Sequence, residues 1–291
     1  MPKIRLIENF RALFYAPFYA AHATGAYAKH GLDVEILPSQ SPLEAAAKLR
    51  NGEADVMWGG PLRVLLTLQA DQHSGIVAFA NVVERDPFLL LARTPNLTRA
   101  EIATQRLAAV SEVPTPWLCL QDDFRRAGIR VPAPRTDLTM PQSAAALLAG
   151  EVDVAQLYQP YAEQSVRAGA HIVYAAATRG LTAYTTLVTT RATIASRRDE
   201  LRLMTSAIAE TLLWFAATPA PEIARALQPY FPALDQDLFA ACIARYRALN
   251  LWATSPVIPR EGFARLHAAM RSGGALHADI AFEAAIDNSL A

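Results

Sequence analysis

The residues best equipped for chemistry stand in a few short runs. Trp58-Gly59-Gly60-Pro61 closes an apolar stretch with two glycines and a proline. Glycines let the backbone approach a ligand closely, and Pro61 is preset for the first turn of a helix whose free N–H groups then face the same place. Ser111-Glu112-Val113-Pro114-Thr115-Pro116-Trp117 has a similar build, with Thr115 as a capping residue and Pro116 opening a helix. The Ser111 and Thr115 hydroxyls and the helix-start N–H groups would suit an anionic or strongly polar group. Phe14-Tyr15-Ala16-Pro17-Phe18-Tyr19 gathers aromatic rings, with Tyr15 and Phe18 expected to wall a flat or hydrocarbon ligand. Tyr158-Gln159 before Pro160, and Arg179 and Tyr184 near a later strand, complete the set. This chemistry is non-covalent capture. A ligand-free turn, an ordinary capped helix and core aromatics would use the same residue types.

Other chemistries find little support. No G-x-G-x-x-G, G-x-x-x-x-G-K-[ST] or G-x-S-x-G occurs, which removes the usual signals for nucleotide binding and serine hydrolysis. The six histidines are scattered, and Cys119 and Cys242 stand far apart, so neither a metal nor a cofactor is expected. A single long-range disulfide stays open. Cys119, in a helix's first turn, is either activated by the dipole or a small buried apolar residue. The 27 basic and 27 acidic residues balance, leaving no electrostatic footprint for nucleic acid. No run reaches the about 18 apolar residues of a membrane span. Met1-Pro2-Lys3 leads directly into a strand rather than a secretory leader. The protein is therefore expected in the cytoplasm if Met1 is native, and in the periplasm if a leader was removed.

The elements that would position these residues alternate. Strands are expected at Lys3–Glu8, Asp33–Leu37, Asp55–Trp58 and Gly75–Asn81, with helices at Pro17–His30, Pro42–Asn51 and Pro61–Ala70. That order argues for a mostly parallel sheet covered by helices. After the charged Glu84-Arg85-Asp86-Pro87, read as a hinge, a second set has strands at Phe88–Ala92, Leu107–Ser111, Asp153–Leu157, His171–Ala175 and Thr185–Thr189. Helices Thr115–Ala127 and Pro141–Ala149 lie among them. Beyond Arg191 the strand signal stops. Leu201, Met204, Ile208, Leu212 and Phe215, then Leu238, Cys242, Ile243, Tyr246 and Leu249 behind Asp235, repeat at helical spacing. A further helix is expected to start at Pro259, carry Phe263, Leu266 and Met270 on one face, and end at Gly273.

An internal echo organises the whole. Ala46-Ala47-Lys48-Leu49-Arg50-Asn51-Gly52-Glu53-Ala54-Asp55-Val56 resembles Ala144-Ala145-Ala146-Leu147-Leu148-Ala149-Gly150-Glu151-Val152-Asp153-Val154. Each reads as a helix stopped at glycine, turned through Glu-x-Asp into a buried strand. Ligands in open α/β sheets bind beyond the carboxyl ends of such strands, which again points to Trp58–Pro61 and Leu157–Pro160.

Tyr15-Ala16-Pro17-Phe18-Tyr19-Ala20-Ala21, the Gly25–Gly31 stretch, the two Gly-Glu-x-Asp-Val turns and Asp287-Asn288-Ser289-Leu290 together resemble one family. It holds the type II periplasmic binding proteins for sulfonates, nitrate and thiamine pyrimidine precursors, and the fungal thiamine-pyrimidine synthases. The resemblance implies two lobes, each a mixed sheet flanked by helices: residues 1–84 and 190–291 as lobe one, with the helical C-terminal layer, and 85–189 as lobe two. It implies ligand contacts at Tyr15, Phe18, the Gly59-Gly60-Pro61 turn, Ser111 to Trp117 with Thr115 between them, and Tyr158-Gln159; Trp58, at the end of its strand, and Arg179 and Tyr184, before the strand that returns the chain to the first lobe, are expected at the cleft from their positions alone. The expected function is non-catalytic binding of a small aromatic or anionic solute by a monomer that serves an ABC-type importer's permease. The alternatives are a cytoplasmic enzyme of thiamine-pyrimidine biosynthesis or a ligand sensor. The synthases' cysteine-rich cluster is absent here, and Lys3, Lys29 and Lys48 are the only lysines.

Overall fold

A computed structural model describes all residues, 1–291. Its first sheet is built from β1 (Lys3–Ile7), β2 (Asp33–Leu37), β3 (Val56–Gly59), β4 (Ile76–Val83) and β9 (Thr185–Thr190) in the order β2-β1-β3-β9-β4. Helices α1 (Ala16–Ala23), α2 (Ala26–Lys29), α3 (Pro42–Arg50) and α4 (Pro61–Ala70) connect its early strands. The second sheet contains β5 (Leu89–Ala92), β6 (Leu107–Ala108), β7 (Val154–Leu157) and β8 (His171–Ala175) in the order β6-β7-β5-β8. Around it lie α5 (Arg99–Ile102), α6 (Thr115–Arg126), α7 (Met140–Ala149) and α8 (Tyr161–Arg167). The rest is helical: α9 (Arg191–Ser196), α10 (Arg198–Ala217), α11 (Ala220–Leu227), α12 (Gln236–Ala248), α13 (Arg260–Ser272) and α14 (Phe282–Ala285).

Both sheets are mixed by the same device. β1 pairs in parallel with β2 and β3, while β9 runs antiparallel between β3 and β4. In the second sheet β5 is the strand that opposes its neighbours β7 and β8. In each case the reversed strand is the one by which the chain arrives from the other sheet. The expected return near residue 190 falls at the end of β9, yet β9 already pairs within the first sheet. Sheet membership therefore changes between Ala175 and Thr185. The two crossings lie side by side: Thr182 N donates to Glu84 O at 2.7 Å and Tyr184 N to Val83 O at 3.2 Å.

The internal echo is a duplicated clasp. In the first sheet the Arg5 guanidinium donates to Asp55 Oδ1 at 2.8 Å and to the Gly52 carbonyl at 2.8 Å, while Arg5 N donates to Asp55 Oδ2. In the second, Arg106 repeats every bond on Asp153 and Gly150, at 2.7 and 2.9 Å, with Arg106 N again on the carboxylate. Gly52 and Gly150 hold left-handed backbone, φ 72° and 77°, which an L side chain rarely adopts. The clasps close the amino ends of β3 and β7 and leave the carboxyl ends of those strands to the space between the sheets.

Two expectations need correction. The helix read as Pro17–His30 is split into α1 and α2 at Gly25, also left-handed at φ 70°. The C-terminal helices do not cover the first sheet alone. α10 and α11 pack on α1, but α12 also meets α8 and α13 lies along α6, so two of them span both halves. Their fastenings are polar. Gln159 N donates to Tyr246 Oη at 2.9 Å, Arg245 Nε pairs with Glu163 at 2.5 Å, and Ser272 Oγ donates to Asp122 at 2.8 Å.

Candidate functional site

The carboxyl ends of β1 and β3 meet the start of β9 at the junction of the two sheets. The chain there is close-packed: a Cβ on Gly60 would stand 2.9 Å from the Tyr184 carbonyl oxygen. Only glycine fits, and the approach brings the Trp58–Pro61 turn against the second crossing. Pro61 starts α4 at its first position, as its locked φ favours.

Aromatic rings fill this junction. Phe14, in a single 3-10 turn over Leu13–Tyr15, sits 4.3 Å from the Tyr15 ring centre, 5.6 Å from Tyr158, 6.1 Å from Tyr184 and 6.5 Å from Phe88. Phe88 and Tyr158 flank the second sheet's strands, so the cluster crosses from one half to the other. Phe14 is held from behind, because Trp252 Nε1 donates to its carbonyl at 2.9 Å. Trp58 lies 6.1 Å from Tyr15 and stacks on Phe18 at 4.8 Å with the rings 4° from parallel. Phe18, nominated as a wall, is completely buried, as is Trp58, and packs face to face with that ring.

Polar atoms are set among the rings. Asn9 Nδ2 donates to Tyr15 Oη at 2.9 Å. Burial pushes the Tyr15, Tyr158 and Tyr184 phenols well up, so they stay protonated and able to donate. Trp58 Nε1, Thr185 Oγ1, Gln159 Nε2 and both side-chain atoms of Asn81 are buried without a hydrogen-bond partner. Such groups are normally satisfied, and leaving one bare costs about 1–3 kcal/mol. Asn81 and Gly59 flank Thr186 in the sheet, next to Thr185. Asn9, Thr185 and Asn81 were not picked out in advance. Asn81 carried a usable signal, an amide inside the apolar strand Ile76–Val83.

On the side facing the second sheet, a groove of about 270 Å³ is lined by Arg11–Leu13, Tyr158–Tyr161 and Tyr230–Leu234. The Gln159 backbone N–H is taken by Tyr246, and its Oε1 accepts from Glu163 N at 2.8 Å, which orients the amide.

Other nominated residues lie elsewhere in the bonding scheme. Arg179 is almost fully buried and engaged: its guanidinium donates to Asp123 at 2.5–3.1 Å and to Asp86 at 2.5 Å. Burial would lower its pKa, but the two carboxylates hold it well above the usual arginine value; burial pushes the Asp86 carboxyl up. This triad ties the first crossing to the end of β8 and to α6. Ser111 donates to the Leu138 carbonyl at 3.0 Å, and the neighbouring Glu112 accepts from Met140 N, so this segment anchors the start of α7. Thr115 is the first residue of α6 and not its cap; Pro114 holds that place and no side chain caps the helix. Trp117 is half-buried against the second half's core. Cys119 and Cys242 are free, and burial pushes each thiol up to about 12, so the dipole does not activate Cys119. No cluster of three or more His, Cys, Asp or Glu side chains forms a metal-binding set, and no helix is long and apolar enough to cross a membrane.

Comparison with known proteins adds the following. The sequence profile of the family described as "NMT1/THI5 like" matches residues 14–222. The chain is 21% identical over 306 residues to "Putative binding protein YtlA" of Bacillus subtilis (strain 168), covering 100% of this chain and 89% of that protein. The periplasmic aliphatic sulphonate binding protein SsuA from Escherichia coli superposes with a TM-score of 0.78 at 15% identity, over 96% of this chain and 95% of that one. A ligand binding component of an ABC-type import system from Staphylococcus aureus, solved with zinc bound, gives 0.76 at 11% identity, over 100% and 98%. At such identities these structures show the fold, which is the two-lobed binding-protein architecture anticipated above.

Proposed function

The chain belongs to the NMT1/THI5-like family, and from that premise we propose that it captures one small, flat, uncharged aromatic solute between its lobes without transforming it. Within the range expected from sequence, a thiamine pyrimidine precursor fits better than a sulfonate or carboxylate. One observation carries this reading. The junction combines rings from both halves around Phe14 with buried, unpartnered donors and acceptors on Trp58, Thr185, Gln159 and Asn81, while Arg179 is already neutralised by Asp86 and Asp123. Aromatic faces hold a flat ring and mixed amide and hydroxyl groups read its edge. An anion would need a counter-charge that these residues do not offer.

In this proposal residues 1–84 and those from about 185 onward form lobe one, and the segment between forms lobe two. Closure is stabilised by whichever solute contacts both lobes, with Tyr15, Trp58, the Gly59–Pro61 turn, Tyr158, Gln159 and Tyr184 as its contacts. The captured solute is then handed to the permease of an ABC-type importer. Calorimetric titration with hydroxymethylpyrimidine and, separately, with an alkanesulfonate tests the assignment. Saturable binding of one pyrimidine per chain, with the solute recovered unchanged, is expected. Tighter binding of the sulfonate would overturn the solute class, and turnover of the pyrimidine would overturn the non-catalytic reading.

A further inference from the structure

A second cavity lies away from the aromatic junction, beside the first crossing. It encloses about 170 Å³ between the end of β4, the C-terminal half of α10 and the loop after α12. Leu212, Phe215, Leu251 and Trp252 give it an apolar wall, and Glu84 and Arg247 are its charged lining. A cavity of about 150 Å³ accommodates a benzene-sized guest, so the volume suits a molecule of that size.

The two charges are not spent on each other. Glu84 is half-buried, and its carboxylate has neither an ion-pair nor a hydrogen-bond partner; burial pushes its pKa up, with Arg85 opposing only weakly. Arg247 uses Nη2 to donate to the Phe215 carbonyl at 2.8 Å and to the Thr218 carbonyl, capping the end of α10, while Nη1 makes no hydrogen bond. The pocket thus presents an available acceptor anion and an available donor cation, joined by an apolar face. A half-buried charge without a partner is costly, and a zwitterion with a short apolar tail would neutralise both at once.

We propose that this cavity is a second ligand site, distinct from the junction between the lobes, for a small apolar α-amino acid. The ligand's ammonium pairs with Glu84, its carboxylate with Arg247 Nη1, and its side chain lies against Phe215 and Trp252. The site adjoins the hinge directly: Glu84 N donates to the Leu251 carbonyl and Glu84 O accepts from Thr182 on the second crossing.

Calorimetry on the full chain with three probes tests it: L-valine, isobutylamine and isobutyrate. Valine is expected to bind one per chain, at least about tenfold more tightly than either singly charged analogue. Glu84→Gln should weaken valine by a similar factor. Ala216→Phe, at the exposed mouth of the cavity, should block it without disturbing the core, and serves if the Glu84 variant folds poorly. The proposal is overturned if valine gives no saturable heat, if either analogue matches it, or if Ala216→Phe titrates like the parent. None of these outcomes depends on the solute in the main cleft.

Discussion

Replacing Arg179 by methionine separates a structural role from a ligand-binding one. The Arg179 side chain is 4% exposed, and its partners Asp86 and Asp123 are 0% and 9% exposed. At an effective dielectric of about 20, unit charges about 4 Å apart interact by about 4 kcal/mol, and most of that offsets the desolvation of the three ions. Removing the cation leaves two buried carboxylates unpaired, a change that typically costs about 3–5 kcal/mol. Urea melts should therefore show a lower midpoint at an unchanged m-value. The pH dependence has a defined sign. Without Arg179 the folded-state pKa of Asp86, already raised by burial, rises further. A carboxyl whose folded pKa exceeds its unfolded one holds its proton more tightly when folded, so stability falls as pH rises through that interval. The variant's deficit should be larger at pH 8 than at pH 5, by roughly 1 kcal/mol or more. A deficit below about 1 kcal/mol, or one independent of pH, would refute the argument. Intact stability with lost solute affinity would restore Arg179 as a ligand contact.

Three further outcomes follow from the geometry. Trp58→Phe keeps an aromatic ring on Phe18 while deleting the unpartnered Nε1, and should weaken the cleft solute by about 1 kcal/mol in calorimetry, with a lowered melting temperature because the smaller ring leaves a void in a fully buried site. Tyr246→Phe strips the partner from Gln159 N, and should shift the ligand-free equilibrium toward an open form by about 0.5–1.5 kcal/mol, read as a larger radius of gyration in X-ray scattering; an unchanged radius would count against α12 as a fastening. Native protein at pH 8 should leave both cysteines unmodified by a thiol reagent, and both should react after denaturation, because burial raises each thiol to about 12.

Much of the scaffold was legible because its signals are local. Pro61 at a helix start and Asp235 as an N-cap accepting from Asp237 and Leu238 fall where their chemistry requires. The two Gly-Glu-x-Asp turns were visible as an echo, but not the arginines that complete them, since Arg5 lies 50 residues from Asp55 and Arg106 47 from Asp153. The same distance problem hid the fate of Arg179, whose partners stand 56 and 93 residues away. An arginine beside a glycine before the returning strand reads as a cleft residue until its carboxylates are located. The stripes on α12 and α13 showed that these helices bury a face, but nothing local names the surface they cover, and each proved to span both halves. The Tyr15 and Trp58 positions were within reach of turn chemistry and aromatic clustering. Asn81 stood out only as an amide in an apolar strand and Thr185 not at all, because only the pairing of β9 with β3 and β4 brings them to the same place.

Native mass spectrometry of the protein purified from its own cells tests the central claim most directly, with Phe14→Ala prepared alongside. The account predicts one co-purified small molecule per chain, with the mass of an uncharged aromatic compound such as a pyrimidine, and its loss in the variant that removes the ring joining Tyr158, Phe88 and Tyr184. A bound sulfonate, or an adduct retained at full occupancy by a folded Phe14→Ala protein, would contradict it.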